Sequence, residues 1–170
     1  KIMKRLSLFM LLIGLNFPAF SQDSTAVTTT YFLIRHAEKD RSNPENKNPH
    51  LNDIGFKRAL KWSQVFKDVK LDAVYTTNYN RTIETANPTA ASHHLKVSKY
   101  HPVNIDYKDF IFKTKGKTVL IVGHSNTIPN FVNALIGTEK YNQIADTNNA
   151  NLYIVTLIGG EISDIQLYIK

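Results

Sequence analysis

Short apolar, β-prone runs alternating with helical periodicities predict an α/β domain: a three-layer α/β/α sandwich with a mostly parallel central sheet and a C-terminal antiparallel hairpin. Three observations carry this expectation. Tyr31-Phe32-Leu33-Ile34 and Thr118-Val119-Leu120-Ile121-Val122 are continuous apolar runs of the kind a parallel sheet buries on both faces. Residues 53–69 and 80–91 place apolar or small residues at helical spacing. Residues 151–157 and 161–169 alternate apolar with polar side chains and meet across Gly159-Gly160, a dipeptide suited to a tight hairpin turn. With 170 residues the chain has room for one domain, and no cysteine is present to build a disulfide, a thiolate zinc site or a thiol nucleophile.

The N-terminal residues are read apart from the fold. Lys1, Lys4 and Arg5 precede an apolar run over residues 6–15, and Ala19-Phe20-Ser21 supplies small residues where a signal peptidase reads them. Residues 1–21 are therefore expected to be a secretory signal peptide cut before Gln22. The run is shorter than the ~20 residues a membrane span needs, and Pro18 interrupts its end. A periplasmic or secreted protein with no stable membrane anchor follows. Residues 22–29 read as a polar linker and residues 30–170 as the domain. Without Lys1, Lys4 and Arg5 the formal charge falls from +7 to +4, a balance that suits a small anionic substrate. The surplus is spread as single lysines rather than gathered in a basic run with interleaved aromatics, so no nucleic-acid partner is expected.

Taken in order, residues 31–34 form a central strand that stops at Arg35-His36. Residues 40–52 carry Ser, Pro, Asn and Lys without periodicity, and Asn52 then offers an N-cap to a helix over residues 53–69. Phe56, Ala59, Leu60, Ser63 and Phe66 recur at helical spacing and are expected to face the sheet. Residues 71–75 make a second strand, residues 80–91 a helix bent at Pro88, residues 118–122 a third strand and residues 125–136 a further helix. Tyr31, Phe32, Tyr75, Tyr153 and Tyr168 fall in strands and read as packing residues.

Chemistry-bearing residues gather where these strands end, the place at which open α/β sheets put their sites. Arg35-His36 follows the first strand, Thr76-Thr77 and then Arg81 the second, and Gly123-His124-Ser125 the third. Two arginines and two histidines at one sheet edge point to a phosphate site, because a guanidinium grips phosphate oxygens with a planar fork. A neutral imidazole nitrogen beside it is a competent nucleophile toward phosphorus.

The order and spacing of these segments resemble the histidine phosphatase superfamily, also called phosphoglycerate mutase-like. Arg35-His36-Ala37-Glu38 is similar to its Arg-His-Gly/Ala signature. Leu51-Asn52-Asp53-Ile54-Gly55, followed by Arg58-Ala59, is similar to its Leu-Thr-x-x-Gly segment. Val74-Tyr75-Thr76-Thr77 with Arg81-Thr82 and Thr85-Ala86 is similar to the segment carrying the second arginine, and Val122-Gly123-His124-Ser125 to that carrying the second histidine. The resemblance implies a phosphatase in which His36 is transiently phosphorylated while Arg35, Arg81 and His124 bind the phosphoryl group, with no metal and no organic cofactor. Only 42 residues separate Arg81 from His124. The helical insertion that covers the substrate in mutases does not fit in that length, so an open pocket is expected, as in the small phosphohistidine-phosphatase-like members.

The general acid departs from the family pattern. Ser125 and Asn126 follow His124, and neither is an acid. The candidates are Asp106, Asp109 and Glu38. Asp106 is preferred because it lies between the arginine and histidine segments in a loop-like stretch after Pro102. His93-His94, His50 and His101 show no chelating spacing with a carboxylate and are not expected to bind metal. The lysines over residues 39–57 read as a solvated loop bordering the pocket.

Overall fold

The computed structural model describes residues 26–170, so the signal-peptide reading of residues 1–21 lies outside the described residues. Ten elements follow one another in the described residues: β1 (Thr28–Arg35), α1 (Asp53–Phe66), β2 (Ala73–Thr76), α2 (Asn80–Ser92), β3 (Val97–Lys99), α3 (Tyr107–Lys113), β4 (Thr118–Gly123), α4 (Thr127–Ile136), β5 (Asn151–Ile158) and β6 (Glu161–Tyr168). The strands form one sheet in the order β3-β2-β4-β1-β5-β6. β1 to β4 are mutually parallel where they pair, β5 runs antiparallel to β1, and β6 antiparallel to β5. β1 begins at Thr28, inside the segment read as linker.

Because successive strand side chains point to opposite faces, the apolar runs split into two cores. Tyr31, Leu33, Val119 and Ile121 pack with Phe110 of α3 and Ile128, Phe131, Val132 and Leu135 of α4. Ile34, Val74, Leu120 and Val122 pack with Trp62 and Phe66 of α1 and Ala86 and Ala90 of α2. Helices therefore cover both faces of the sheet, giving the three-layer sandwich that the continuous apolar runs required. β6 at the edge is different: Ile162, Ile165, Leu167 and Tyr168 are exposed, so the packing role expected for Tyr168 is not met.

The face of α1 differs from expectation. Gly55, Ala59, Trp62, Ser63 and Phe66 are buried, whereas Phe56 and Leu60 are 47% and 60% exposed. The first turn decides this. A Cβ on Gly55 would stand 2.1 Å from the Glu38 carbonyl oxygen, so the backbone of α1 lies directly on the chain just after His36. That contact rotates the helix about one position from the stripe which hydrophobicity alone selects. Asn52 caps the helix as expected, its Oδ1 accepting from Gly55 N at 2.9 Å. α2 continues through Pro88, whose carbonyl accepts a hydrogen bond from Ser63 Oγ at 3.2 Å.

Between α2 and β4 stand only the three-residue β3 and the seven-residue α3. Sequence periodicity missed both, since elements this short show no full repeat.

Candidate active site

Sheet register brings the site together. β1 and β4 pair in parallel with Arg35 opposite Gly123, and β2 pairs with β4 with Thr76 opposite Val122. His36 and His124 are thus the next residues beyond two adjacent strand ends, and Thr77 the next beyond a third. His36 N donates to Gly123 O at 2.9 Å, locking the first two ends together. The two imidazole centroids are 5.5 Å apart. One cavity of about 350 Å³ is lined by Arg35, His36, Arg81 and His124 together with Lys39, Tyr79 and the first residues of α4. The positive end of that helix favours an anion here.

His36 is buried, and its Nδ1 lies 2.7 Å from Ala37 O. A carbonyl only accepts, so Nδ1 carries the proton and Nε2 keeps its lone pair. Burial, followed by the charges of Arg35, Arg81 and His124, lowers the His36 pKa to about 3 even though the Ala37 carbonyl opposes the shift. The imidazole is neutral at pH 7. Asn149 supports it from behind, donating Nδ2 to His36 O at 2.7 Å.

His124 is oriented by a hydroxyl relay. Its Nδ1 faces Arg81 Nη2 at 3.4 Å, a donor only, which assigns the proton to Nε2. Nε2 donates to Thr77 Oγ1 at 2.9 Å, Thr77 meets Thr82 Oγ1 at 3.0 Å, and Thr82 ends the chain on the Tyr79 carbonyl at 2.9 Å. Burial and the cations of Arg81, Arg35 and Lys39 lower the His124 pKa to about 4.

The two arginines are used differently. Arg35 is a buried strut: Nη1 donates to the carbonyls of Ala145, Asp146 and Asn148 at 2.8, 3.0 and 2.9 Å, and Nη2 to Asp146 Oδ1 at 2.7 Å. Its Nε alone is buried without a partner among the described residues. Arg81 rests on the Tyr79 ring, with its central carbon 4.5 Å from the ring centroid. Its Nε and Nη1 are also buried and unpaired among the described residues. Buried donors without acceptors cost free energy, and three of them on the two arginines that line this cavity, beside two neutral imidazoles, suit the site to an anion.

The structure does not bring the expected acids to this cavity. Asp106 caps α3, accepting from Asp109 N at 3.1 Å. Asp109 pairs with Lys113 at 2.6 Å on the exposed side of that helix. Neither aspartate lines the cavity: Pro102 and Val103 do, but the stretch after them leads into a capped helix whose Phe110 packs in the sheet's core beside α4. Glu38 does approach from a second cavity, but both its oxygens accept from Arg58 Nε at 2.8 and 2.9 Å. The carboxylate that does border both cavities is Asp146, which no sequence motif marked. It bridges Arg35 and Arg41, and these two hydrogen bonds hold its pKa down at about 2.

Two of the remaining histidines have structural partners. His93 joins α2 to the end of α1 through the carbonyls of Thr89, Phe66 and Val69, and His50 meets Glu84. Among the described residues no group of three His, Cys, Asp or Glu side chains is placed to hold a metal ion, and no helix is long and apolar enough to cross a membrane.

A family model described as the histidine phosphatase superfamily (branch 1) matches residues 31–102, the span that holds Arg35, His36, Gly55 and Arg81. Over this span the chain is similar to the histidine phosphatase superfamily. His124 lies beyond the matched span and reaches the same cavity from the end of β4. No curated protein sequence matches the chain significantly. Among solved structures, the protein histidine phosphatase SixA complexed with tungstate superimposes with a TM-score of 0.65 at 14% identity, covering 82% of this chain and 96% of that one. Phosphoglycerate mutase from Bacillus anthracis gives 0.64 at 13% identity, covering 84% and 93%. The mycobacterial glucosyl-3-phosphoglycerate phosphatase gives 0.62 at 11% identity, covering 84% and 98%. At these identities the likeness shows a shared phosphoglycerate mutase-like fold.

Proposed function

We propose that the protein is a phosphatase that hydrolyses phosphate monoesters or phosphoramidates through a phosphohistidine on His36 Nε2. The observation that carries this reading is the unprotonated Nε2 of His36, held by the Nδ1 contact to Ala37 O in one cavity with the unpaired N–H groups of Arg81. Attack by Nε2 on phosphorus expels the leaving group. Arg81, the Arg35 Nε–H and His124 stabilise charge on the equatorial oxygens, donors fixed before the reaction begins. Water then attacks the phosphorus of phosphohistidine, releasing phosphate and restoring the imidazole. The names of the solved relatives, a histidine phosphatase and a sugar-phosphate phosphatase among them, support this class of reaction. The guanidinium groups supply the cationic stabilisation, so neither metal nor organic cofactor enters the scheme. The signal-like residues 1–21 support action in the periplasm or outside the cell.

Release of phosphate from 4-nitrophenyl phosphate tests the reading. Turnover that survives EDTA, and an acid-labile, alkali-stable phosphoryl group that disappears in folded His36→Ala, is the expected result. Phosphate binding without turnover would instead support a phosphate- or phosphosugar-binding module, and a phosphoryl group trapped on another side chain would reject the His36 mechanism.

A further inference from the structure

We propose that Lys39 is the proton donor to the leaving group when the phosphoryl group passes to His36. The inference rests on the phosphatase reading above and concerns a step for which the site holds no carboxylic acid.

Lys39 stands three residues beyond His36, and its backbone is pinned by an antiparallel bridge to Leu51 just before α1. Its side chain lines the phosphate cavity with His36, Arg81 and His124, and also the second cavity of about 540 Å³, lined by Glu38, Asn52, Thr147 and Asn149. The two cavities meet at His36, Lys39 and Asp146. Lys39 therefore stands at the junction between the cavity lined by Arg81 and the space into which a leaving group would depart. Arg35, Arg41 and Arg58 each have a carboxylate partner, whereas the Lys39 ammonium has none among the described residues.

Elimination leaves few other donors. Asp146 is ionised and bridged by two arginines. Glu38 is held by Arg58. The Nε2 proton of His124 is committed to Thr77. Arginine does not release a proton in this range. Lys39 is protonated at neutral pH, and burial together with Arg41, Arg81 and Arg35 lowers its pKa, against the opposing pull of Asp146. Its ammonium is thereby a better acid than that of a solvated lysine.

The step balances. As the bond from His36 Nε2 to phosphorus forms, the phosphorus–oxygen bond to the leaving group breaks, and that electron pair takes a proton from Lys39 Nζ to give the alcohol. The neutral amine then accepts a proton from the water that attacks phosphohistidine. The phosphorus–nitrogen electron pair returns to His36, and the ammonium is restored.

The test compares an alkyl phosphate, whose alkoxide needs a proton, with 4-nitrophenyl phosphate, whose leaving group needs little. Wild-type turnover of the aryl ester first establishes the phosphatase reading independently of Lys39. Lys39→Met is expected to lose about 10²–10⁴-fold in kcat/KM on the alkyl ester and about tenfold on the aryl ester, where only a cation is lost. Lys39→Arg keeps the charge but gives no proton, so it is expected to recover the aryl rate and not the alkyl rate. Equal losses on both esters in folded Lys39→Met, or an alkyl rate restored by Lys39→Arg, would overturn the proposal. So would a leaving-group-selective loss in Tyr79→Phe with none in Lys39→Met, which would move the proton to the Tyr79 hydroxyl.

Discussion

Asp146 Oδ1 accepts from Arg35 Nη2 at 2.7 Å while its Oδ2 accepts from Arg41 Nη2 at 2.8 Å, so one carboxylate ties the buried strand-end arginine to the loop that closes the site. The pairing makes Arg35 a strut, leaving its Nε as the donor available to the phosphate of the proposed reaction. Its charge is shared between a fixed carboxylate and whatever anion meets Nε.

The carboxyl of Asp146 has a folded pKa of about 2, below its value of 3.8 in an unfolded chain. Its contribution to stability is therefore complete above pH 3.8 and is lost as the pH falls through about 2. The side chain is 67% exposed, so solvent screening holds the contribution to the range of exposed ion pairs, about 0.5–1 kcal/mol. Asp146→Ala is expected to lower the urea midpoint at pH 7, and most of that difference is expected to disappear as the pH falls to about 2. Equal destabilisation at both pH values would show that the loop is held by the Arg35 carbonyl contacts alone.

Both site histidines titrate far below an ordinary imidazole, His36 at about 3 and His124 at about 4, chiefly because burial penalises their charged forms. Their folded pKa values lie below the unfolded 6.5, so each favours the folded state above pH 6.5, and that support is lost as the pH falls through about 4 and then about 3. In an NMR titration their ring resonances should stay those of neutral imidazole down to about pH 5. Protonation of either ring near pH 6.5 would mean that water reaches the cavity freely.

In the proposed reaction Arg81 would meet the phosphate with donors that the protein leaves unpaired among the described residues. Arg81→Lys retains the charge and loses the fork that fits phosphate in two places. The expected loss is about 10²–10³-fold in kcat, on the order of 2.7–4 kcal/mol, as for a removed oxyanion donor. An unchanged rate in steady-state assays would show that charge alone suffices.

Gly55 has no room for a methyl group, since its Cβ would lie 2.1 Å from the Glu38 carbonyl oxygen, which is backbone and does not swing away. Gly55→Ala is expected to destabilise the fold by about 1–3 kcal/mol, a fall in Tm of several degrees at roughly 2–4 °C per kcal/mol. Activity should fall with it, because the displaced carbonyl belongs to the segment that positions His36. Calorimetry that shows no loss of Tm would place the helix farther from the His36 loop than the structure does.

Much of the architecture, and the grouping of residues in the candidate site, was legible in the chain itself. Apolar runs long enough only for strands, the Asn52 cap and the Gly159-Gly160 turn determine which elements form, because these are local preferences of backbone and side chain. The four residues Arg35, His36, Arg81 and His124 are legible for a related reason: each sits at or just beyond a strand end, and parallel register carries strand ends to one edge. Tertiary structure decided what depends on contacts between distant segments. The rotation of α1, which exposes Phe56 and Leu60, is set by Gly55 against Glu38 rather than by the helix's own hydrophobicity. Asp106 became a cap once the short α3 formed, and a helix of seven residues has too little repeat to announce itself. Asp146 and Asn149 reach Arg35 and His36 across separations of 111 and 113 residues. No spacing rule foresees such pairs, because they arise only after the sheet has closed and β5 has delivered the preceding loop to the end of β1.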